Sequence, residues 1–303
     1  MMVWLRLLSW ETVKAEYTKA QKALHWMFII SYIFALILFS INTLFFHFTH
    51  DLGAHFFLAS VPGCVIVFMI GLCYRSVSPR FSLLMISFSH VFLYIFVCSF
   101  LLVAALLTPF PIIDSALLKI DQALGFSTLH LLDFVHRHEY LLLALKLAYT
   151  SWAYLVLLTP FILSLFANEK YLNAYFLSLM FSLMIGVLIY YFFPTIAPAG
   201  VLQSAYFTHA QHQLVERFYQ SHHSQPVTAV ASGQIAFPSF HVTYSLLVLA
   251  ALRPYRWLFY PVLVVSVFSI LATMGLGYHY LMDVIAAFIV AYVSWTRVAR
   301  YNT

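Results

Sequence analysis

Long apolar runs separated by short polar stretches divide almost the whole chain of 303 residues. Only 8% of the residues are charged and 63% are hydrophobic, whereas about 25% of the residues of a soluble domain are charged. A run of roughly 20 apolar residues crosses a bilayer as an α-helix, which satisfies its own backbone hydrogen bonds in lipid. The pattern therefore predicts an all-α, polytopic integral membrane helix bundle and excludes a soluble protein. The eight predicted spans are 25–46, 54–74, 82–107, 140–166, 172–193, 239–252, 257–275 and 278–296.

The sixth run is too short to cross a membrane at full thickness. We expect it to begin inside the protein, where neighbouring helices or water satisfy its backbone. Residues 1–24 mix tryptophans and leucines with lysines, which predicts an interfacial segment. Residues 25–80 would form two accessory transmembrane helices, and residues 81–303 a core of six helices.

The basic residues are unevenly distributed between the two sides of the predicted bundle. With a cytoplasmic N-terminus, 11 of them fall on the inner side and 3 on the outer side, which follows the positive-inside rule. Both termini are therefore predicted to be cytoplasmic, and no basic patch indicates nucleic-acid binding. The inner residues are Arg6, Lys14, Lys19, Lys22, Arg75, Arg80, Lys170, Arg253, Arg256, Arg297 and Arg300, and the outer ones are Lys119, Arg137 and Arg217.

Two long connections interrupt the spans, and both lie on the predicted outer side. In 109–139 the apolar residues recur at helical spacing, which predicts an amphipathic helix at the membrane interface. The connection 194–238 is polar and begins at the turn Pro194–Pro198. A loop of that length in a compact domain is usually functional or a lid.

His279 and Asp283 are four residues apart at the start of the last apolar run. This spacing places both side chains on one helix face, where the carboxylate can accept the imidazole N–H and leave the other ring nitrogen free to attack. Ionisable residues inside a membrane indicate a functional site. The alternative is a structural pair in the protein core.

Ser239 and His241 begin another apolar run, directly after Pro238. Ser239 can cap a helix there, and the exposed N–H groups of a helix start bind phosphate well. His241 could act as a general acid toward a leaving oxygen. The alternative is an ordinary capped helix whose histidine faces water.

The predicted topology brings these groups to the same, non-cytoplasmic membrane face. His241, His279, Asp283 and the turn Pro194–Pro198 all lie at outer ends of spans. A single reaction centre for phosphoryl transfer is therefore predicted.

Lys146 is the one lysine or arginine inside a predicted span. It could bind a substrate phosphate, or its ammonium group could reach the outer interface near Glu139. The histidines of the outer loop (His209, His212, His222 and His223) form a His-x-x-His and a His-His pair, which in a polar loop are typical of surface histidines, and the three cysteines lie in apolar runs. We therefore expect no metal site, no disulfide and no cofactor.

The motifs Pro238-Ser239-Phe240-His241 and His279-Tyr280-Leu281-Met282-Asp283 resemble those of the type 2 phosphatidic acid phosphatase superfamily. With Phe193–Pro198 and Tyr278, they are most similar to the inositol-phosphorylceramide synthase branch. The resemblance covers roughly residues 110–296. It implies a phosphatase-like six-helix core and a phosphohistidine mechanism. His279 would be the nucleophile and Asp283 its orienting partner, while His241 would protonate the leaving group and Ser239 would hold phosphoryl oxygens.

The chain departs from the superfamily pattern at its basic residues. The lysine and arginine cluster of the first motif is not found, and Ala272-Thr273 stands where a serine-arginine pair is expected. This loss favours the synthase branch, and it makes Lys146 a candidate substitute.

The sequence thus predicts a metal-independent enzyme that transfers or hydrolyses a phosphoryl group on a membrane lipid. Water or a polar alcohol such as inositol would be the acceptor. Two alternatives stay open: a transporter or lipid flippase in which the His/Asp pair relays protons, and a scaffold without activity.

Overall fold

The computed structural model of the protein describes residues 19–46, 54–223 and 236–299. Within these ranges the chain is all-helical, without strands. The helices are α1 (Lys19–Phe46), α2 (Ala54–Cys73), α3 (Pro79–Leu106), α4 (Asp114–Ala123), α5 (Thr128–His136), α6 (Glu139–Leu165), α7 (Glu169–Phe192), α8 (His209–His222), α9 (Phe240–Leu252), α10 (Arg256–Gly275) and α11 (Leu281–Ala299).

Each predicted span corresponds to a helix. Among the described residues, six helices are long and apolar enough to cross a membrane, namely α1, α3, α6, α7, α10 and α11. Two apolar stretches are shorter, Val61–Cys73 in α2 and Phe240–Leu252, which is all of α9. The prediction of a polytopic helix bundle is confirmed, and the protein is a multi-pass membrane protein. Its orientation in the membrane stays a prediction.

Helix α7 lies at the centre of the bundle. Residues 172–180 are all buried, so every face of this part of the helix is covered, as expected of a helix that is apolar all round. Helices α1, α3, α6, α9 and α11 pack around it. The short helix α9 spans only about 20 Å at 1.5 Å per residue, and ten of its 13 residues are buried. It therefore begins and runs inside the protein, as its length predicts.

The first two helices join the bundle through α3 and α7. Helix α1 contacts α3 and α7, and α2 contacts α3. Asn42 of α1 donates to the carbonyl of Ala104 at 2.9 Å and accepts from the Tyr191 hydroxyl at 2.6 Å. The accessory role of α1 and α2 stays a prediction. The predicted interfacial segment 1–24 falls outside the described residues except for its last six.

The two long connections contain more helix than the sequence indicated. The first holds the predicted amphipathic helix as α4, followed by a second helix, α5. The second connection, interpreted as a polar loop, contains a short 3-10 turn at Pro198–Gly200 and the 14-residue helix α8. A capping box between Thr208 and Gln211 begins α8, and this local pairing of side chain and backbone stabilises a helix whose composition is polar. Residues 224–235 of this connection lie outside the described part.

Candidate active site

The start of α9 supplies the first two residues of the site. Ser239 is the N-cap of α9, and its hydroxyl accepts a hydrogen bond from the Val242 N–H at 3.4 Å, as the sequence predicted. The Ser239 N–H donates to the carbonyl of Asp283 at 3.2 Å, which joins the starts of α9 and α11. Phe240 packs against Gly186 of α7, where an added Cβ would lie 2.6 Å from the ring. Glycine there lets α9 approach α7 closely.

The loop between α10 and α11 carries His279. Gly277 has a φ of +75°, a conformation that favours glycine, and the ring of Phe207 lies 2.7 Å from where its Cβ would be. The N–H groups of Tyr278 and His279 both donate to the carbonyl of Thr273 at 3.0 Å. These contacts fold the loop back on α10 and fix the backbone of His279.

His279 and Asp283 meet across a helix start, and not along a helix face as their spacing suggested. Helix α11 begins at Leu281, so His279 precedes it. Asp283 Oδ2 accepts from the Tyr280 N–H at 2.9 Å and lies 3.1 Å from His279 Nδ1. The positive φ at Gly277 and this capping contact delay the helix by about one turn beyond the predicted start at residue 278.

A line of hydrogen-bonding atoms joins Ser239, His279 and Asp283. Ser239 Oγ lies 3.1 Å from His279 Nε2, on the opposite side of the ring from Asp283. All three residues are buried, with His279 4% exposed and the other two fully enclosed. Because an ionised carboxylate only accepts hydrogen bonds, Asp283 selects the tautomer with the proton on Nδ1. Nε2 then carries a lone pair toward Ser239.

His241 lies beside this line and is held between aromatic rings. Its ring centroid is 6.1 Å from that of His279. The Tyr149 ring stacks on the His241 ring, with 4.4 Å between the centroids and an interplanar angle of 15°. The centroid of the Trp152 ring lies 4.2 Å from that of His241. Tyr149 also stacks on Tyr278 at 4.6 Å. Helix α6 therefore fixes the position of the second histidine.

Two carboxylates of helix α4 hold the loops that carry the site. Asp114 Oδ2 accepts from the Ile196 N–H at 3.0 Å, and its Oδ1 accepts from the Tyr280 hydroxyl at 3.1 Å. Asp121 accepts from the N–H groups of Leu281 at 2.8 Å and Met282 at 3.2 Å. Both carboxylates are fully buried. Burial raises the pKa of Asp114 to about 6 and also raises that of Asp121, while their N–H donors oppose the rise.

A cavity of about 790 Å³ opens in front of the two histidines. His241 and His279 line it together with Thr195, Ile196 and Ala197 of the turn after α7, so the predicted convergence at one end of the bundle is present. Other walls come from α3, α6 and α8, and the lining includes Arg217 of α8. Lys146 is exposed on α6 and does not line the cavity.

The family comparison agrees with this geometry. A family model described as the PAP2 superfamily matches residues 115–297, which is more than half of the chain. The chain belongs to the PAP2 superfamily. Neither a search of curated proteins nor a search of solved structures gave a match. Membership of the PAP2 superfamily supports a phosphatase-type enzyme, and the matched residues include α9, the loop with His279 and nearly all of α4.

Sequence reasoning missed the residues that support the histidines. Asp114, Leu117 and Asp121 share the buried face of α4, and two acids seven residues apart on that face were the available signal. In the sequence, Arg217 stands out only as one of three basic residues on the predicted outer side. Among the described residues no group of three or more histidine, cysteine or acidic side chains could hold a metal ion.

Proposed function

We propose that this PAP2 superfamily member is an integral membrane lipid phosphotransferase or phosphatase that works through a phosphohistidine on His279, without metal. The observation that carries the proposal is the line of contacts from Asp283 through His279 to Ser239, with His241 at its side. Each contact is 3.1 Å long. A nucleophile, its orienting base and a second proton-transfer group at one cavity are the parts that covalent phosphoryl transfer needs.

In the first step the Nε2 lone pair of His279 attacks phosphorus. A nitrogen–phosphorus bond forms while the bond from phosphorus to the leaving oxygen breaks. Asp283 accepts the Nδ1–H and stabilises the positive charge that develops on the ring. Ser239 Oγ, 3.1 Å from Nε2, and the N–H groups at the start of α9 lie where phosphoryl oxygens would be bound.

His241 would transfer the protons. It donates a proton to the leaving oxygen in the first step and takes one from the incoming acceptor in the second. The acceptor oxygen then bonds to phosphorus, the nitrogen–phosphorus bond breaks and His279 is regenerated. The two ring centres are 6.1 Å apart, and the phosphoryl group would lie between the two histidines during the transfer.

The apolar residues that line the cavity support a lipid substrate. Helices α3 and α6 are joined in one half by Ser164, whose hydroxyl lies 2.7 Å from that of Ser87 and donates to the carbonyl of Leu83 at 3.1 Å. At the opposite half of these helices, the apolar residues Leu102 and Ala153 line the cavity. These walls from α3 and α6 would contact the acyl chains of a bound lipid.

The acceptor decides between hydrolysis and transfer. A volume of about 790 Å³ falls within the range of roughly 300–1,000 Å³ that small-molecule sites occupy, so a polar alcohol fits beside the reacting phosphate. We propose an inositol-phosphorylceramide synthase-like transfer on the strength of the motif resemblance. Water as the acceptor, giving a phosphatase, is the close alternative.

The test uses purified full-length protein in detergent, wild type beside His279→Ala, incubated with phospholipids and lipid phosphates, with and without inositol, and with a chelator. We expect turnover in the wild type alone. A headgroup-exchanged lipid would identify a transferase, and free phosphate a phosphatase. Acid-labile, alkali-stable phosphate bound to the wild-type protein alone would identify the phosphohistidine.

The opposite result is equally specific. In that case the wild type shows no turnover and no labelled protein, and substrate flux in sealed vesicles survives His279→Asn. Such a result would contradict the enzyme and favour the transporter or flippase. The position of the two histidines at one end of the bundle argues against that alternative, because alternating access usually places its site near the membrane midplane.

A further inference from the structure

The cavity in front of the histidines needs a positive charge to hold a phosphate. A phosphomonoester carries a charge of about −1.5 to −2 at neutral pH, and a buried anion without a cationic partner is strongly unfavourable. The nearest carboxylate, Asp283, adds negative charge beside His279. Among the described residues, the one lysine or arginine that lines the cavity is Arg217.

Helix α8 places Arg217 in the cavity through its amphipathic pattern. The cavity face of the helix bears Ala210, Gln213, Leu214, Arg217 and Phe218, which recur at spacings of three and four residues. At the first turn of α8, Gln211 Nε2 donates to the carbonyl of Leu276 at 2.9 Å. Helix α8 is thereby attached to the loop that carries His279, which lies three residues after Leu276.

The side chain of Arg217 suits this role chemically. It is half-buried, and although burial lowers its pKa, a guanidinium stays charged at neutral pH. Its planar array of donors binds two oxygens of a phosphate at once, which a lysine cannot do.

We propose that Arg217 binds the phosphoryl oxygens of the substrate from helix α8, and that it supplies the cationic phosphate ligand of this site. The ligand class is a phosphate monoester or diester, whether free phosphate or a lipid headgroup. The inference rests on the proposed function and adds a residue that the motifs do not contain. Lys146, the candidate from sequence, is exposed outside the cavity and is not needed for it.

Anion binding without turnover tests the proposal. Inorganic phosphate and a short-chain phosphatidic acid are titrated separately into the purified full-length protein, with the wild type, Arg217→Gln, Arg217→Lys and the control Arg137→Gln. Arg137 is another outer arginine, exposed and paired with Asp133 at 2.9 Å. We expect Arg217→Gln to weaken binding by about ten- to hundredfold, the size of a lost charged hydrogen bond, Arg217→Lys to weaken it less, and Arg137→Gln to leave it unchanged.

The two arms separate the ligand sources. Weakening in both arms identifies the phosphoryl oxygens as the group that Arg217 binds, and weakening with the lipid alone shows that the phosphate reaches Arg217 only when acyl chains fill the cavity. Binding by Arg217→Gln equal to that of the wild type in both arms would overturn the proposal. A lowered thermal midpoint identifies a variant that has lost its fold. If Arg217→Gln does not fold, the test is whether Arg217→Lys binds phosphate more weakly than Arg137→Gln does.

His279→Ala separates this inference from the proposed function. If Arg217 holds the anion, His279→Ala still binds phosphate while losing turnover. If phosphate binding depends on Arg217 but the wild type shows no turnover, the Arg217 site is supported and the proposed enzyme activity is contradicted. If turnover depends on His279 but Arg217→Gln binds phosphate as the wild type does, the enzyme activity is supported and the Arg217 site is contradicted.

Discussion

Asp114 accepts a hydrogen bond from the hydroxyl of Tyr280 at 3.1 Å, across a separation of 166 residues. Tyr280 directly follows His279, and Asp114 also accepts from Ile196 in the turn that lines the cavity. One buried carboxylate on α4 therefore connects two walls of the site. Removing its charge, by pH or by substitution, should be measurable as a change in stability.

We predict that the stability of the protein falls as the pH rises through about 6, in part because of Asp114. Its pKa is about 6 in the folded protein against an ordinary value of 3.8, because burial disfavours the charged form. Between these values the folded protein binds more protons than the unfolded chain. The stabilisation from the protonated form is therefore complete below about pH 3.8 and is lost as the pH rises through about 6.

Asp114→Asn removes this titration, so its thermal midpoint should change less between pH 4 and pH 7 than that of the wild type. The substitution also changes the contacts to Ile196 and Tyr280, which shifts the whole curve and not its slope. Asp133→Asn, at a partly exposed carboxylate on α5, is the control and should run parallel to the wild type. Parallel curves for Asp114→Asn and the wild type would contradict the assignment.

A second prediction concerns Asp121, which accepts from the first two N–H groups of α11. Asp121→Ala leaves those partly buried donors without their charged partner, at a cost of about 1–3 kcal/mol in the free energy of unfolding. Activity should fall at least about tenfold, because the start of α11 positions both His279 and Asp283 and small displacements of reacting groups are costly.

Ser127→Ala is the matched control for Asp121→Ala. Ser127 caps α5 by accepting from the His130 N–H at 3.3 Å, and the loss of such a cap costs about 0.5–2 kcal/mol. Thermal unfolding and turnover are measured on both variants. Equal activity losses at equal stability losses would show that Asp121 acts through global stability alone.

Gly277 and Gly125 offer a third prediction because their backbones are alike and their surroundings differ. Their φ values are +75° and +76°, but only at Gly277 would a Cβ meet a ring, that of Phe207 at 2.7 Å. Gly125→Ala should lower stability by about 1 kcal/mol. Gly277→Ala should cost about 1–3 kcal/mol more and should also reduce turnover, since His279 is two residues away.

Thermal unfolding and turnover of the two alanine variants decide this prediction. Matching losses would mean that the contact with Phe207 does not matter. A double variant, Gly277→Ala with Phe207→Leu, should recover part of the lost stability if the ring is the obstacle.

The sequence predicts the fold well because the membrane imposes it. Apolar runs of bilayer length can only be helices, so the spans were located to within a few residues even for α9, whose burial followed from its length. The polar helix α8 carries no such constraint. Its capping box and its packing on the loop of His279 are tertiary features, which is why the region was interpreted as a loop.

The residues of the candidate site also fall into two groups, those that the sequence identifies and those that it does not. Ser239, His241, His279 and Asp283 were identifiable because polar residues are rare in apolar runs and their spacing is short. Asp114, Asp121 and Arg217 lie in outer segments where charge is common, and they reach the site only through the folding of distant segments. Lys146 stands out in the sequence because it is a cation in a span, but it is exposed, and the cavity lining on α6 begins one turn further along the helix, at Tyr149.

The stack of Tyr149 on His241 leads to a fourth prediction. Tyr149→Phe keeps the ring and should retain activity within about threefold, whereas Tyr149→Leu removes one aromatic wall from His241 and should reduce turnover of a lipid phosphate at least about tenfold, a part of the roughly 10²–10⁴ that general acid catalysis contributes. Tyr154→Leu, at an exposed tyrosine of the same helix, is the control and should leave turnover unchanged.

The leaving group distinguishes a damaged proton donor from a merely loosened site. The p-nitrophenolate of p-nitrophenyl phosphate leaves without needing a proton, so in a single turnover Tyr149→Leu should release it nearly as fast as Tyr149→Phe does. The deficit would then be confined to lipid phosphates, whose alkoxide leaving group requires His241. An equal loss on both substrates in this first step would place the effect of Tyr149 on binding or on His279, and the stack would have no part in protonating the leaving group.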